Sequence, residues 1–359
     1  MNGKRVYVDI HVLQTVPPSC VNRDDTGSPK TARYGGVTRA RVSSQCWKHA
    51  VRTYFRDHLD IERLAFRTKN AEEKVADYLI EKGYEKEEAV LLAENALKEI
   101  QVKSSKDGKK DALFFISSSQ ARAVAEVIDI GEKESIDIKE NKDALKKAIC
   151  EAPGAEIALF GRMVAADTSM NVDACCQVAH AISTHRISNE FDYYTAIDDL
   201  HSEDEESTDE GAGHIGTIEF NSSTLYRYAT IAVHDLNEKL GGETAETVRD
   251  FVEAFVCSMP TGKINSFANQ TLPDMVLVNV RTDQPINFVG AFENPVKSND
   301  GYVNPSKERL EEYALECYKA FASEPERSFS VGSLSGSLSK QVTFKELLDE
   351  VEEAVQELL

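Results

Sequence analysis

The stretch from Pro18 to Arg52 reads PSCVNRDDTGSPKTARYGGVTRARVSSQCWKHAVR and reverses the electrostatic character of the chain. Beyond Asp25 it contains no acidic residue, whereas the whole chain of 359 residues has a formal net charge of −20. Such segregation of charge predicts a local basic groove on an otherwise acidic protein. The cations of the stretch are Lys30, Arg33, Arg39, Arg41, Lys48 and Arg52.

Regular elements are predicted on both sides of this stretch. Apolar and polar residues alternate from Arg5 to Leu13, which predicts a strand with Asp9 and His11 on its polar face. Ser43 is the predicted N-cap of a helix whose apolar residues recur at helical spacing from Cys46 to Phe55. The segment between strand and helix contains glycines and prolines, so it presents cations and backbone N–H groups beside a helix N-terminus. This combination suits a polyanion.

The rest of the chain alternates between strand and helix patterns, which predicts an α+β fold with a ferredoxin-like sheet. The charged part from Leu59 to Cys150 is predicted to be mostly helical. The predicted helices are Ala71–Ile80, Glu85–Ile100, Ser118–Ile128, Ala174–Thr184, Glu243–Ser258, Pro305–Ala322 and Thr343–Leu359. A capping box of Thr343 and Glu346 is predicted to open the last helix. The predicted strands are Ile157–Ala165, Tyr226–Val233 and Met275–Val280.

A projecting hairpin is predicted in the second half of the chain. An aromatic arm that includes Tyr193 leads into Asp198–Glu210, a segment with eight acidic residues and no lysine or arginine. The glycine-rich run Gly211–Gly216 leads out of it. Two extended arms around a glycine-rich tip are typical of a β-hairpin. Because acidic groups repel phosphate, the acidic part of the loop is expected to point away from any nucleic acid.

Eight blocks of sequence carry a resemblance to a known family. They are HVLQTVPPSCVNRDD (His11–Asp25), GG-x-x-R-x-R-x-SSQ (Gly35–Gln45), LFGRM (Leu159–Met163), AHAISTH (Ala179–His185), FDYYTAIDDL (Phe191–Leu200), HIGTIEF (His214–Phe220), YRYA (Tyr226–Ala229) and PDMVLVN (Pro273–Asn279). In this order, and over nearly the whole chain, they resemble the CasC family, the repeated backbone subunit of the Cascade interference complex in type I-E CRISPR systems.

The resemblance implies a hand-shaped α+β protein. Its palm would be a modified ferredoxin-like, RNA-recognition-type sheet, joined to a helical fingers region and a β-hairpin thumb. We expect the first part of the palm in residues 1–58, the fingers in 59–174, a palm helix in 175–183, the thumb in 184–225, and the second part of the palm with C-terminal helices in 226–359. Several copies would polymerise along a guide RNA (crRNA), with other Cascade subunits and the target DNA strand paired to the guide as further partners.

The RNA-binding residues follow from the charge pattern together with the resemblance. Phosphate contacts are expected from Arg23, Lys30, Arg41, Lys48 and Arg52, from Arg162 as a clamp, and more weakly from Lys263 and Lys297. Contacts with the RNA backbone or sugar are expected from Ser43 and Gln45. Base contacts are expected from Met163 and Tyr193, with His214 and Ile215 at positions that match the tip of the thumb. Lysines of the fingers, such as Lys103 and Lys139, are candidates for the target strand.

The catalytic motifs of common enzyme classes are missing from the sequence, which contains no Walker motif, no G-x-S-x-G and no H-E-x-x-H. We therefore predict a non-catalytic subunit with no cofactor and no metal site. The alternative is a metal-dependent ribonuclease that uses Asp24, with His11 as a general base. A scaffold that binds only protein would leave the basic stretch unexplained. No apolar run approaches the length of a membrane span, so we expect a cytoplasmic protein without a membrane partner.

Overall fold

The computed structural model describes residues 5–102, 113–165, 167–197, 212–334 and 338–359. Its strands are β1 (Tyr7–Ser19), β2 (Thr31–Tyr34), β3 (Val37–Val42), β4 (Ala65–Thr68), β5 (Phe114–Ser117), β6 (Cys176–Val178), β7 (Ala181–Ser183), β8 (Glu190–Ile197), β9 (Ala212–Ala232), β10 (Met275–Arg281), β11 (Arg327–Val331) and β12 (Lys340–Gln341). Its helices are α1 (Ser44–His58), α2 (Ala71–Glu81), α3 (Lys86–Glu99), α4 (Ser118–Glu134), α5 (Lys142–Cys150), α6 (Gly154–Phe160), α7 (Val233–Leu240), α8 (Thr244–Cys257), α9 (Ile264–Phe267), α10 (Val303–Ala320) and α11 (Phe344–Leu358).

A large sheet forms the palm, and the predicted α+β class is confirmed. The strand order is β12-β11-β10-β1-β9-β7-β3-β2, and β6 and β8 also pair with β9. Strand β1 pairs antiparallel with both β10 and β9, in the register Val8↔Val280 and Val8↔Ile231. The sheet therefore joins the beginning, middle and end of the chain.

Both faces of β1 are buried. Val8 and Ile10 pack into a core that includes Phe55 of α1 and Phe251 of α8. The opposite face, predicted to be polar, lies under the short 3-10 turn Phe288–Phe292 and α10: there the ring of His11 stacks on Phe288 at 4.3 Å between centroids. An RNA-recognition sheet binds bases on an open face. This palm has no open face at β1, so β1 offers no platform of that kind.

The fingers have a hydrophobic core of their own. Side chains from α2, α3, α4 and α5 meet in it, among them Leu79, Leu97, Val124 and Ile149. The three predicted helices of this region are confirmed. Ser117 and Gln120 form a reciprocal capping box that fixes the start of α4. The other capping box, predicted at Thr343 and Glu346, is confirmed at the start of α11.

Two predicted elements are wrong. Residues 157–165 were expected as a strand, but α6 continues to Phe160 and irregular chain follows. A short continuous apolar run such as Ile157–Phe160 does not by its pattern alone distinguish a strand from a helix. Ala174–Thr184 was expected as a helix, and with it the palm helix of 175–183. It forms β6 and β7 instead, because its backbone hydrogen bonds are made with β9 and β3, and tertiary pairing overrides a weak helical pattern.

A buried ion pair joins the palm to the fingers. The Arg52 Nε of α1 lies 2.5 Å from the Glu156 Oε2 of α6. The second carboxylate oxygen of Glu156 accepts the backbone N–H of Ala65 in β4 at 2.8 Å. The Arg52 guanidinium also covers the ring of Phe115 in β5 at 4.7 Å from the centroid. Both partners are buried, so this arginine is part of the structure and not of its surface.

Replacing Arg52 by alanine should therefore destabilise the fold. It would leave the Glu156 carboxylate buried without its cation, a change that costs about 3–5 kcal/mol in comparable buried pairs. We expect this loss in the free energy of unfolding measured by chemical denaturation. Arg56→Ala, one turn further along α1 at an exposed position, is the matched control and should be nearly neutral. Equal stability of the two variants would contradict the structural role of Arg52.

Candidate nucleic-acid interface

The N-terminus of α1 is the centre of the candidate interface. The Ser43 hydroxyl accepts the N–H of Cys46 at 3.3 Å, which confirms the predicted N-cap. His180 lies across the same helix end, with its Nδ1 at 3.3 Å from the backbone N of Ser44 and 3.4 Å from Nη1 of Arg41. Burial, followed by the charges of Arg41 and Lys30, lowers the pKa of His180. The imidazole is therefore neutral at pH 7, and its Nδ1 can accept from both donors.

Four predicted residues meet around this helix end. Lys30 and Arg41 are joined through the backbone, since the N–H of Arg41 donates to the carbonyl of Lys30 at 2.9 Å. Gln45 is exposed, and Lys48 is half-buried one turn further along α1. Cations beside the positive end of a helix dipole form a site for anions such as phosphate. Ser43 itself is buried with its hydroxyl engaged in the cap, so its contribution is to hold the helix end in place.

A second pair of cations comes from distant parts of the sequence. Arg23 is exposed in the loop after β1, and Lys263 lies at the start of α9. Gly262 packs directly on that loop, since a Cβ at this position would lie 2.1 Å from the carbonyl oxygen of Val21. The charges of Lys263 and Arg23 both act on the Cys20 thiol, whose pKa burial raises. The structure thus brings together two residues that the sequence predicted separately.

Lys263 is held in an unusual backbone conformation. Its φ is +47°, and Ala268 at the other end of α9 has a φ of +46°. Non-glycine residues in this left-handed region carry a conformational cost and are often found where a loop has a functional geometry to keep. The surrounding contacts with Val21 hold Lys263 beside the loop after β1. The remaining weaker candidate, Lys297, is exposed in the chain that follows Phe292.

The short motif Gly161-Arg162-Met163 behaves differently from its prediction. Met163 is 85% exposed, as a contact for a partner requires. Three residues earlier, at the end of α6, the ring centroid of Phe160 lies 5.9 Å from Nζ of Lys48 in α1. Arg162, however, is buried and bonded to protein groups only, among them the carbonyls of Met170 and Ile149. Its assignment as a phosphate clamp is wrong.

Two further cations of the basic stretch are internal. Arg39 is fully buried and donates to the carbonyls of Ser183 at 2.9 Å and Phe292 at 2.7 Å. Arg52 pairs with Glu156, so its assignment as a phosphate contact is also wrong. Both arginines build the core of the palm, because their planar forks satisfy several buried acceptors at once. In the basic stretch, the cations at or near the surface are Arg23, Lys30, Arg33, Arg41 and Lys48. Lys263 and Lys297 are the candidate cations from later in the chain.

The predicted hairpin is present as β8 and the first half of β9. The ladder runs from Glu190↔Phe220 to Ile197↔Ala212. Tyr193 is 62% exposed and Phe191, two residues earlier on the same strand face, is 71% exposed. Sequence reasoning missed Phe191 as a site residue, although its i, i+2 spacing from Tyr193 was a usable signal. It missed His180 as well, which no local pattern marked.

The tip of the hairpin is only partly described. His214 pairs with Ala196 and Ile215 with Thr195, so both belong to the β9 ladder. The acidic segment Asp198–Glu210 and the side chains of His214 and Ile215 lie outside what the structure describes. Their predicted contacts with RNA therefore stay predictions.

The alternative nuclease site has little support in its geometry. The Asp24 Oδ1 accepts from the hydroxyl of Thr26 at 2.7 Å and from the N–H groups of Thr26 and Ser28, each at 3.0 Å. The Thr26 hydroxyl, the largest influence, lowers the pKa of this carboxyl. His11 is fully buried, and burial lowers its pKa to about 3, so its role as a general base is wrong. Within the described residues, no cluster of His, Cys, Asp or Glu is arranged to hold a metal ion.

Comparisons with known proteins identify the family of the chain. The family model for CT1975-like protein matches residues 8–357. The chain belongs to this family. One solved structure, described as "CRISPR RNA-guided surveillance complex, pre-nicking", has a chain that is 30% identical with a TM-score of 0.81, and the match covers 97% of this chain and 100% of that one.

A second match, described as "CRISPR RNA-guided surveillance complex", is 28% identical with a TM-score of 0.63 and covers 97% of this chain and 99% of the other. No curated protein matches the chain. The predicted relationship to a Cas backbone subunit is confirmed by the family and structural matches together. Among the described helices, none has the length and apolar character needed to cross a membrane.

The surface at α1 should bind RNA with a strong dependence on salt. Replacing Lys30 or Lys48 by alanine removes one candidate phosphate contact, which should lower the slope of log affinity against log salt by about 0.7 for a single strand. Titrations of a single-stranded RNA at several salt concentrations measure this slope. Lys345→Ala, an exposed lysine on α11, is the control for an equal change in net charge. Lys345→Ala should keep the wild-type slope. If Lys30→Ala and Lys48→Ala also keep it, phosphate does not bind at this surface.

Proposed function

We propose that this protein is a guide-RNA-binding backbone subunit that polymerises along crRNA within a Cascade-type complex of type I-E, in the cytoplasm. The observation that carries the proposal is a group of cations at the N-terminus of α1 in a chain that also exposes a methionine just beyond α6. Cations around Ser44 can hold phosphates, and Met163, three residues after the Phe160 ring that Lys48 approaches, has most of its side chain in solvent. A nucleic acid strand has the two features that this surface requires, a polyanionic backbone and apolar base faces.

The exposed aromatic residues of the hairpin are an argument for polymerisation along RNA. Phe191 and Tyr193 stand out from β8 on one face, and no described part of the same chain covers them. Aromatic rings on a projecting arm bind bases by stacking, which tolerates any sequence. A guide passes through many subunits with a sequence that varies from one copy to the next, so a tolerant contact is suitable. The thumb of one copy would lie over RNA that the next copy holds, and this overlap supports a filament of identical subunits.

Contacts with the target strand are proposed for the fingers. Lys103, which belongs to one of the two finger lysine clusters, lies outside the described residues. In the other cluster, Lys142 pairs with Glu99 at 3.2 Å and Lys146 with Asp167 at 2.6 Å. Because these two ammonium groups already have acidic partners, they would gain less from phosphate than an unpaired cation. Lys139 is the better candidate of this cluster.

Removing the hairpin aromatics should weaken RNA binding without loss of stability. Each base-stacking contact is worth about 1–3 kcal/mol by alanine substitution, so Phe191→Ala combined with Tyr193→Ala should lower the affinity for single-stranded RNA by at least tenfold. The melting temperature should stay the same, because both rings are exposed. Phe321→Ala is the matched control, since this ring near the end of α10 is 88% exposed. A lower melting temperature of the double variant with unchanged RNA affinity would identify the hairpin as a core element.

The subunit is proposed to be non-catalytic. An assembled complex given RNA complementary to its guide, with Mg²⁺ or Mn²⁺, should leave that RNA intact on a denaturing gel. Asp24→Asn and the neighbouring Asp25→Asn should behave like wild type. Cleavage at regular intervals that Asp24→Asn abolishes and Asp25→Asn preserves would replace this proposal with the metal-dependent ribonuclease.

A further inference from the structure

Met163 is exposed between two buried neighbours. Arg162 and Val164 are both buried, and Val164 belongs to the hydrophobic core of the fingers. Before them, Gly161 has a φ of +76° and packs so closely that a Cβ would lie 2.9 Å from the carbonyl oxygen of Val172. A single exposed side chain within such a fixed stretch has its direction set by the residues on either side. The question is which contacts set it.

The Arg162 guanidinium supplies most of these contacts. Its acceptors lie in separate segments of the fingers: Nε and Nη2 donate to the Met170 carbonyl at 3.1 and 3.0 Å, Nη2 donates to the Ile149 carbonyl at 2.9 Å, and Nη1 donates to the Phe115 carbonyl at 3.2 Å and to Gln120 Oε1 at 2.9 Å. An arginine side chain has five N–H groups. All of them are used here, so Arg162 has none left for an RNA phosphate.

The bonds of Arg162 converge on the start of α4. Gln120 accepts from Arg162 and also from the backbone N–H of Ser117, and its own side-chain amide donates to the Ile149 carbonyl at 2.5 Å. Gln120 is itself fully buried. The guanidinium therefore links β5, the start of α4, the end of α5 and the chain around Met170 in one hydrogen-bonded group.

The opposite end of α6 is fixed to the palm. Glu156, which lies six residues before Arg162, pairs with Arg52 of α1. The short helix between these two anchors also packs on the palm, since Phe160 contacts Phe251 of α8 with ring centroids 6.1 Å apart. Met163 thus stands at the joint between the palm, which carries the candidate phosphate site, and the fingers.

We propose that Arg162 is a positioning residue for guide binding, which never contacts RNA but fixes the direction in which Met163 meets the bases. Through this residue the packing of the fingers determines how Met163 contacts the bases. The inference rests on the proposed function, because it requires that Met163 contacts RNA. Arg162 then acts on RNA only through the side chain of Met163, and not as the phosphate clamp that the sequence predicted.

A double-mutant cycle tests this coupling in the full-length chain. Arg162→Lys keeps the positive charge but loses the planar guanidinium that reaches several acceptors. Met163→Ala removes the apolar side chain that would contact the bases. Each should weaken binding of a single-stranded RNA by about tenfold, within the range of interaction energies for neighbouring residues. The double variant should bind no more weakly than Met163→Ala alone, because Arg162 has nothing further to position. Arg122→Lys, an exposed arginine on α4, is the control and should bind like wild type.

Two further readouts separate positioning from direct contact and from misfolding. The slope of log affinity against log salt should be unchanged by Arg162→Lys and by Met163→Ala, whereas Lys48→Ala lowers it by about 0.7. In RNA that carries 2-aminopurine, the fluorescence gain from an unstacked base should be lost in both the Arg162 and the Met163 variants. If Arg162→Lys does not fold, Gln120→Ala takes its place in the cycle, since it removes one of the five bonds of Arg162.

Independent effects that multiply in the double variant would overturn the proposal. So would an Arg162 variant with normal affinity and a normal fluorescence gain. Wild-type protein that binds no RNA at any salt concentration would instead refute the proposed function itself, and that result is visible before any variant is compared.

Discussion

The pairing of β1 with β9 is the interaction on which the rest of the structure depends. Their antiparallel ladder keeps one register from Tyr7↔Ala232 to Val16↔Ser223, and β9 pairs with β6 and β7 on its other edge. The same strand then leaves the palm and pairs with β8 as one arm of the thumb. Because one continuous strand of 21 residues serves both, the direction of the thumb is set by the central sheet. A separate hairpin on a flexible loop would have no such orientation.

Cationic side chains have two distinct places in this acidic protein. Arg39, Arg52 and Arg162 lie inside it, where planar guanidinium groups satisfy carbonyl and carboxylate acceptors from segments that are far apart in sequence. Lysine is found at the candidate interface, as at Lys30 and Lys48, where a compact and mobile charge can follow a phosphate. The internal arginines connect separate segments of the fold, and the cations at the surface are the ones proposed to bind RNA. Part of the charge in the basic stretch thus contributes to the fold.

Much of the fold could be predicted from sequence because its signals are local. The alternation in β1, the N-cap at Ser43 and the capping box at Thr343 each depend on residues a few positions apart, and all three are confirmed. Burial of Arg52 could not be predicted in this way, because Glu156 lies far along the chain and only folding brings it close. The strand at β7 was missed for the same reason, since its partners in β3 and β9 are distant. Exposure was predicted correctly for Arg23, which lies in irregular backbone, and wrongly for Arg162, whose surroundings are packed.

The central claim is that identical subunits hold one RNA strand in a regular, repeated geometry. Nuclease footprinting of RNA bound to the assembled full-length protein tests it most directly. Each copy contributes the same phosphate surface, the same exposed Met163 and the same thumb, so the account predicts continuous protection interrupted by evenly spaced reactive positions, with a period that does not depend on the RNA sequence. Uniform protection without a period, or protection confined to one short segment whatever the length of the RNA, would contradict it.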